Sequence, residues 1–292
     1  MRRFVSIAKA TTLEIANEPL SLLLLSASLV LAVFAPAFHY HQFGEATRMA
    51  RDAGLSALLI GGIVFSVSGA TRSMRRELES GTAAVALSHP VSRAQFFLAK
   101  VCGACAAFAF FALAVGGVTA TTVNGARLGA ELAAKAGDIP KLWGPSYALG
   151  VAAIVLPYII GAALNRVWRW RFSLTAFAST VAISLASVAY RPDLPELLRL
   201  LPAEALLWMP PVFFATAASA ASVRLGANAA TAVSALLVLG FLPFAGNYSL
   251  SEALSRGGRI PVGYVVSAAL AAVPAVIAAA VAGLALMRSR DV

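Results

Sequence analysis

The sequence predicts an all-α polytopic membrane protein, a helical bundle of six to eight spans. Three observations carry that prediction. The 292 residues are 60% hydrophobic and only 12% charged, with a mean hydropathy of +0.81, whereas soluble domains carry about 25% charged residues. The apolar residues come in long Ala, Leu and Val runs, not in the apolar–polar alternation of barrel strands. The basic residues behind the net charge of +10 sit scattered at the ends of those runs. There they orient spans by the positive-inside effect, and they form no stripe for nucleic acid.

Residues 2–17 read as an amphipathic helix, with Phe4, Ile7, Ala8, Thr11 and Ile15 on one face and Arg2, Lys9 and Glu14 away from it. Basic at its start and ended by Pro19, it is expected to lie in the membrane interface as a unit 1–19, ahead of a single transmembrane domain 20–292. Leu20–Phe38 is long enough to span. Glu14, Glu18 and Pro19 do not suit a signal peptide and Ala35-Pro36-Ala37 is a poor cleavage site, so the span is expected to be retained. A polar loop with His39, His41, Arg48 and Asp52 leads to a second span, Ala53–Ala70, whose Gly61, Gly62, Ser66 and Gly69 permit close helix contact. His39 and His41 have no further His or Cys near them and read as loop residues.

Phe96–Val123 is the third span, long enough to tilt. Cys102 and Cys105 make a C-x-x-C inside it, without the βαβ surroundings of a redox motif, and read as small packing residues. A polar loop, Asn124–Pro145, with a short amphipathic piece at Ala126–Ala136, precedes the fourth span, Ser146–Leu164. Asn165–Arg171 then interleaves Arg with Trp, as at a cytoplasmic interface. Phe172–Ala189 is the fifth span, and proline-rich Arg191–Pro202 is expected to lie along the outer surface. Ala205–Val223 and Ala227–Gly246 can each span, though Met209-Pro210-Pro211 breaks the first or makes it re-entrant. After a polar loop, Asn247–Pro261, the last span Val262–Met287 closes in Arg288, Ser289, Arg290 and Asp291. Eight spans place both termini on one side, and the Lys and Arg distribution makes that side the cytoplasm.

The stretch from Arg72 to Lys100 stands out against these apolar runs. Arg72, Arg75, Arg76, Glu77 and Glu79 fall close together, and Ser80-Gly81-Thr82 then interrupts them. Thr82 can cap a short helix starting at Ala83, because its hydroxyl can accept an unpaired N–H of the first turn. His89 precedes Pro90 and is pushed towards an extended conformation, which ends that helix. Ser92 and Gln95 have the spacing of a capping box that starts the next helix. The reading is a short capped helix held between two spans by a charged hinge, suited to gripping a partner.

The chain carries no G-x-x-x-x-G-K-[ST], no H-E-x-x-H and no G-x-S-x-G, so it holds no P-loop of its own. The span interiors are almost free of ionisable residues, which lowers the case for an ion-coupled carrier. Glu77-Leu78-Glu79-Ser80-Gly81-Thr82, followed by His89-Pro90-Val91-Ser92-Arg93 and Lys100, resembles the signature of the permease subunits of ABC-2-type transporters. The N-terminal helix resembles that family's elbow helix, and Arg288-Ser289-Arg290-Asp291 its basic-Asp ending. The resemblance implies that the loop 71–95 is a coupling helix docking into a separate cytoplasmic ATPase, with Glu77, Glu79, Gly81, Thr82, Pro90, Ser92, Arg93 and Lys100 as its coupling residues. It implies a non-enzymatic chain that binds no cofactor itself, ATP and Mg being bound by the ATPase. It also implies a second permease subunit, identical or not, and ATP-driven export across a bacterial cytoplasmic membrane. The family has six spans where the segments above number eight. An ion-coupled secondary carrier and a non-transporting membrane scaffold are the alternatives. The apolar, Ala-rich spans favour a lipid-like or amphipathic cargo over a charged one.

Overall fold

The computed structural model of the protein describes residues 2–35, 46–80, 92–136, 145–190, 194–245 and 260–289. Among these residues the chain is helical, with no strand: α1 (Arg2–Ala16), α2 (Pro19–Phe34), α3 (Ala46–Glu79), α4 (Arg93–Ala136), α5 (Pro145–Trp168), α6 (Phe172–Tyr190), α7 (Leu194–Arg224), α8 (Ala227–Ala245) and α9 (Val262–Arg288). Six of them, α3 to α7 and α9, are long and apolar enough to cross a membrane. The chain is therefore an all-α polytopic membrane protein.

α1 and α2 meet that test only as a pair, bent by 65°. The bend has a local cause. The Glu18 N–H donates to Ile15 O at 3.2 Å in a tight turn, and Pro19, which has no N–H, opens α2 where none is needed. In α2 Leu22, Leu25, Leu29 and Val33 are buried while Leu23 and Leu31 stay exposed, the pattern of a helix with one face on protein and one on lipid. α8, expected to span, is a 19-residue helix that is apolar through Ala245.

Two elements run longer than expected. The third span and the amphipathic piece after it form one 44-residue helix, α4, about 66 Å long at 1.5 Å per residue. Residues 124–136 contain no proline, and Arg127 pairs with Glu131 one turn on at 3.6 Å, so the helix continues past a hydrocarbon core of about 30 Å. α7 absorbs both the expected surface segment and the expected break, passing through Pro202, Pro210 and Pro211. Each proline removes a helical N–H, which a membrane helix tolerates when neighbours hold it. α3 does so closely: Gly62 leaves room for Phe108 of α4 and Pro211 of α7, which would lie 2.8 and 3.3 Å from an added Cβ.

α3, α4 and α7 form the centre. Phe65 of α3 stacks on Phe111 of α4 with centroids 4.7 Å apart and on Phe177 of α6 at 6.1 Å. Such pairs contribute about 0.5–1.5 kcal/mol each beyond burial. α9 packs along α7 and buries Gly283 and Met287 at its C-terminal end, while Leu270, Ile277 and Val281 remain exposed. The charged groups collect at the two ends of this bundle.

Candidate functional site

One of those ends holds the hinge residues. Glu77 and Glu79 lie in the last turns of α3, where a carboxylate opposes the helix dipole by about 0.3–1 kcal/mol. Tertiary partners hold them there. Arg75 binds Glu79 one turn away at 2.5 Å. Lys100 of α4, only 2% exposed, reaches Glu77 Oε1 at 2.6 Å.

Lys100 is shared. Its Nζ donates to Ser73 Oγ at 2.9 Å and to Ser73 O at 3.4 Å, and lies 3.4 Å from Glu14 Oε2. The Ser73 hydroxyl in turn donates to Glu14 Oε2 at 2.8 Å, and Arg76 stands 3.9 Å from the other Glu14 oxygen. Two cations and two carboxylates balance around Lys100, whose buried charge would be costly if left uncompensated. The knot ties α1, α3 and α4 together at the two stems of the 80–92 segment. Glu14 was expected away from the buried face of α1. It is one helical turn from buried Thr11, and that edge of the face is where α3 lies.

α1 is fixed further along by contact with α4. Thr12 Oγ1 donates to Gly103 O at 3.0 Å, and an added Cβ on Gly103 would sit 2.6 Å from both Ala8 O and Thr11 Cβ. Gly103 of the C-x-x-C is thus what lets the two helices touch. Cys102 and Cys105 are free thiols, the first exposed and the second packed partly in the core. At the bend, burial pushes the Glu18 carboxyl above its ordinary value, while Arg72 pulls it down, Glu14 adds to the rise and Arg76 lowers it.

The start of α4 has the expected capping box: the Gln95 N–H donates to Ser92 Oγ at 3.1 Å, and the Ser92 N–H to Gln95 Oε1 at 3.3 Å. Arg93 turns the other way. Its Nη1 donates to Met287 O at 3.4 Å and Arg288 O at 3.1 Å, and Arg224 donates to Ser289 O at 2.8 Å. These two guanidinium groups meet the carbonyls that the last turn of α9 leaves unpaired. Glu77, Glu79, Ser92, Arg93 and Lys100 therefore gather at one end of the bundle. Gly81, Thr82 and Pro90 lie outside the described residues, as do the expected short helix, His39 and His41, and Arg290 and Asp291.

At the same end as α9's last turn, Asn165 Nδ2 donates to Trp170 O at 2.8 Å, and Arg169 adopts a left-handed φ of 56°. That turn leaves Trp168 and Trp170 exposed with centroids 5.7 Å apart. The opposite end holds a pair that sequence reasoning missed. Arg51 of α3 and Glu196 of α7 bind at 2.5 Å with almost no exposed surface, and Arg199 adds a second cation 3.7 Å from Glu196. Glu196 was expected in a surface segment, and only the joining of 194–224 into one helix brings it against α3.

An all-helical membrane protein with an ionic knot at the root of its charged segment is the class that fold and site define. No protein-family model, no curated protein and no solved structure matches the chain.

Proposed function

We propose that the chain is the membrane-spanning permease subunit of an ATP-driven transporter of the ABC-2 type, an exporter coupled through residues 71–95 to a separate cytoplasmic ATPase. The observation that carries this reading is the Lys100 knot. Residues 80–92 leave α3 and return into α4, and the Glu77–Lys100 bridge clamps those two stems at 2.6 Å. The Ser92 box stiffens the return, and Glu14 adds the interfacial helix α1 to the same rigid body. A push on the segment is then passed to α3, α4 and α1 together instead of being absorbed locally. ATP and Mg belong to the partner, and the resemblance of the hinge to the permease signature supplies the partner's identity. In the proposed orientation the knot, both termini and the Arg169 turn face the cytoplasm.

The test is co-purification of the ATPase together with hydrolysis in reconstituted vesicles. Glu79→Arg, which breaks the exposed Arg75 pair and reverses a charge facing the partner, is expected to leave the protein in the membrane. It is expected to weaken ATPase binding or uncouple hydrolysis from transport, and Gly81→Pro to do so more severely. Parent-like binding and transport in both variants removes the main support for this reading. Glu204 of α7, a carboxylate within a span, favours one second reading, an ion-coupled carrier. Vesicles that move cargo on a proton gradient, with no ATPase present, decide for it.

A further inference from the structure

We propose that Glu204 and Trp208 of α7 form a binding point for the ammonium head of an amphipathic cation that enters from the bilayer. Glu204 has no hydrogen-bond or ion-pair partner among the described residues. Its carboxylate lies flat against Gly116 of α4, and an added Cβ there would stand 2.7 and 2.8 Å from its two oxygens. A larger residue there would have to displace the Glu204 carboxylate. One turn further along the same face of α7, the Trp208 indole N–H is buried and unpaired, and its ring meets Phe108 edge-on with centroids 5.9 Å apart.

On α4 Gly116 and Phe108 stand two turns apart, and Glu204 and Trp208, one turn apart on α7 and running the other way, reach one each.

The charges around Glu204 are otherwise engaged. Arg51 and Arg199 bind Glu196, and Arg48 lies 3.8 Å from Asp52. Between residues 53 and 71 of α3, between 101 and 126 of α4 and throughout α6 there is no Lys, Arg, His, Asp or Glu. An unpaired carboxylate within a span is costly and is retained where something positive meets it. A metal ion needs several oxygen or nitrogen donors, and among the described residues Glu204 belongs to no group of three. The half-buried Trp208 ring near a single carboxylate instead suits an organic ammonium, held by charge and by the ring quadrupole. Leu198 and Leu201, next to Glu204 on α7, are more than half exposed, so an alkyl tail reaches lipid directly.

This inference names the cargo class for the permease reading, and its test contains no ATPase, so either can fail without the other. The full-length protein in nanodiscs of zwitterionic lipid is titrated with dodecyltrimethylammonium and, as the neutral control, with a dodecyl polyether. The parent is expected to bind the ammonium saturably, and Glu204→Gln and Gly116→Leu to weaken it about tenfold or more without altering the control. Glu204→Asp, which keeps the charge, and Trp208→Phe, which keeps a ring, should bind within a few-fold of the parent, and Trp208→Leu markedly less. Modification of Glu204 by dicyclohexylcarbodiimide, read by peptide mass, should be slowed by the ammonium and not by the ether. Absence of saturable binding to the parent, or equal affinity in the parent and a folded Glu204→Gln, overturns the proposal.

Discussion

Lys100 is a cation with almost no surface, and its energetic meaning lies in what would be left without it. Lys100→Ala strands Glu77 and Glu14 at a three-helix junction, with Arg76 at 3.9 Å from Glu14 as the remaining cation and largely exposed. Breaking one partner of a fully buried pair costs about 3–5 kcal/mol, while removing both together costs far less. The first figure is an upper bound here, because Glu77 keeps 27% of its side-chain surface. Lys100→Met is therefore expected to lower the unfolding temperature sharply, and Glu77→Gln added to it to recover much of the loss. A double-mutant cycle on thermal unfolding in nanodiscs measures this, and strictly additive losses mean that the pair is not coupled. How far such detail could be read in advance depended on distance along the chain. The Ser92–Gln95 box was legible because its members stand three residues apart. The Lys100–Glu77 pairing was not read from the sequence, which placed both only among the coupling residues, and Glu14, 86 residues from Lys100, was expected away from the face whose edge meets α3.

At the scale of elements, hydropathy located the apolar runs and misjudged where helices stop. Polar residues after Val123 and prolines around 202 and 210 signal loops in soluble proteins. α4 and α7 run through them because helix formers sustain the first and packed neighbours hold the second. The consequence was functional as well as architectural: a surface loop at 191–202 cannot present Glu196 to Arg51, whereas a continuous α7 does. The join between α1 and α4 makes the sharpest test at this scale. A side chain at Gly103 meets backbone, Ala8 O at 2.6 Å, which cannot swing aside as a side-chain tip can. Gly103→Leu is expected to lever α1 off α4, breaking the Thr12 hydrogen bond and pulling Glu14 from Lys100. Proteolysis should then cut within residues 2–17 faster than in the parent, whereas Gly103 replaced without any change in cleavage would mean that α1 is held elsewhere.

For the molecule as a whole, the two ends of the bundle differ in kind. One end joins α1, the stems of the 80–92 segment and the last turn of α9 through Lys100, Arg93 and Arg224. The other carries the buried Arg51–Glu196 contact between α3 and α7, with the tail of α4 extending beyond it. An ATPase-coupled permease needs that asymmetry in one orientation, with the knotted end towards the ATPase, and the distribution of Lys and Arg along the sequence argues for the same orientation. Two exposed positions on opposite ends test it. Ser80 follows the last turn of α3 beside the knot, and Glu131 lies on α4 thirty-one residues beyond Lys100, about 46 Å along the helix. In a background where Cys102 and Cys105 are replaced by Ala, Glu131→Cys is expected to react with a membrane-impermeant thiol reagent in intact cells. Ser80→Cys is expected to react only after the membrane is opened. Labelling of Ser80→Cys from outside would turn the molecule over, put the Lys100 knot out of reach of any cytoplasmic ATPase, and leave the permease reading without its partner.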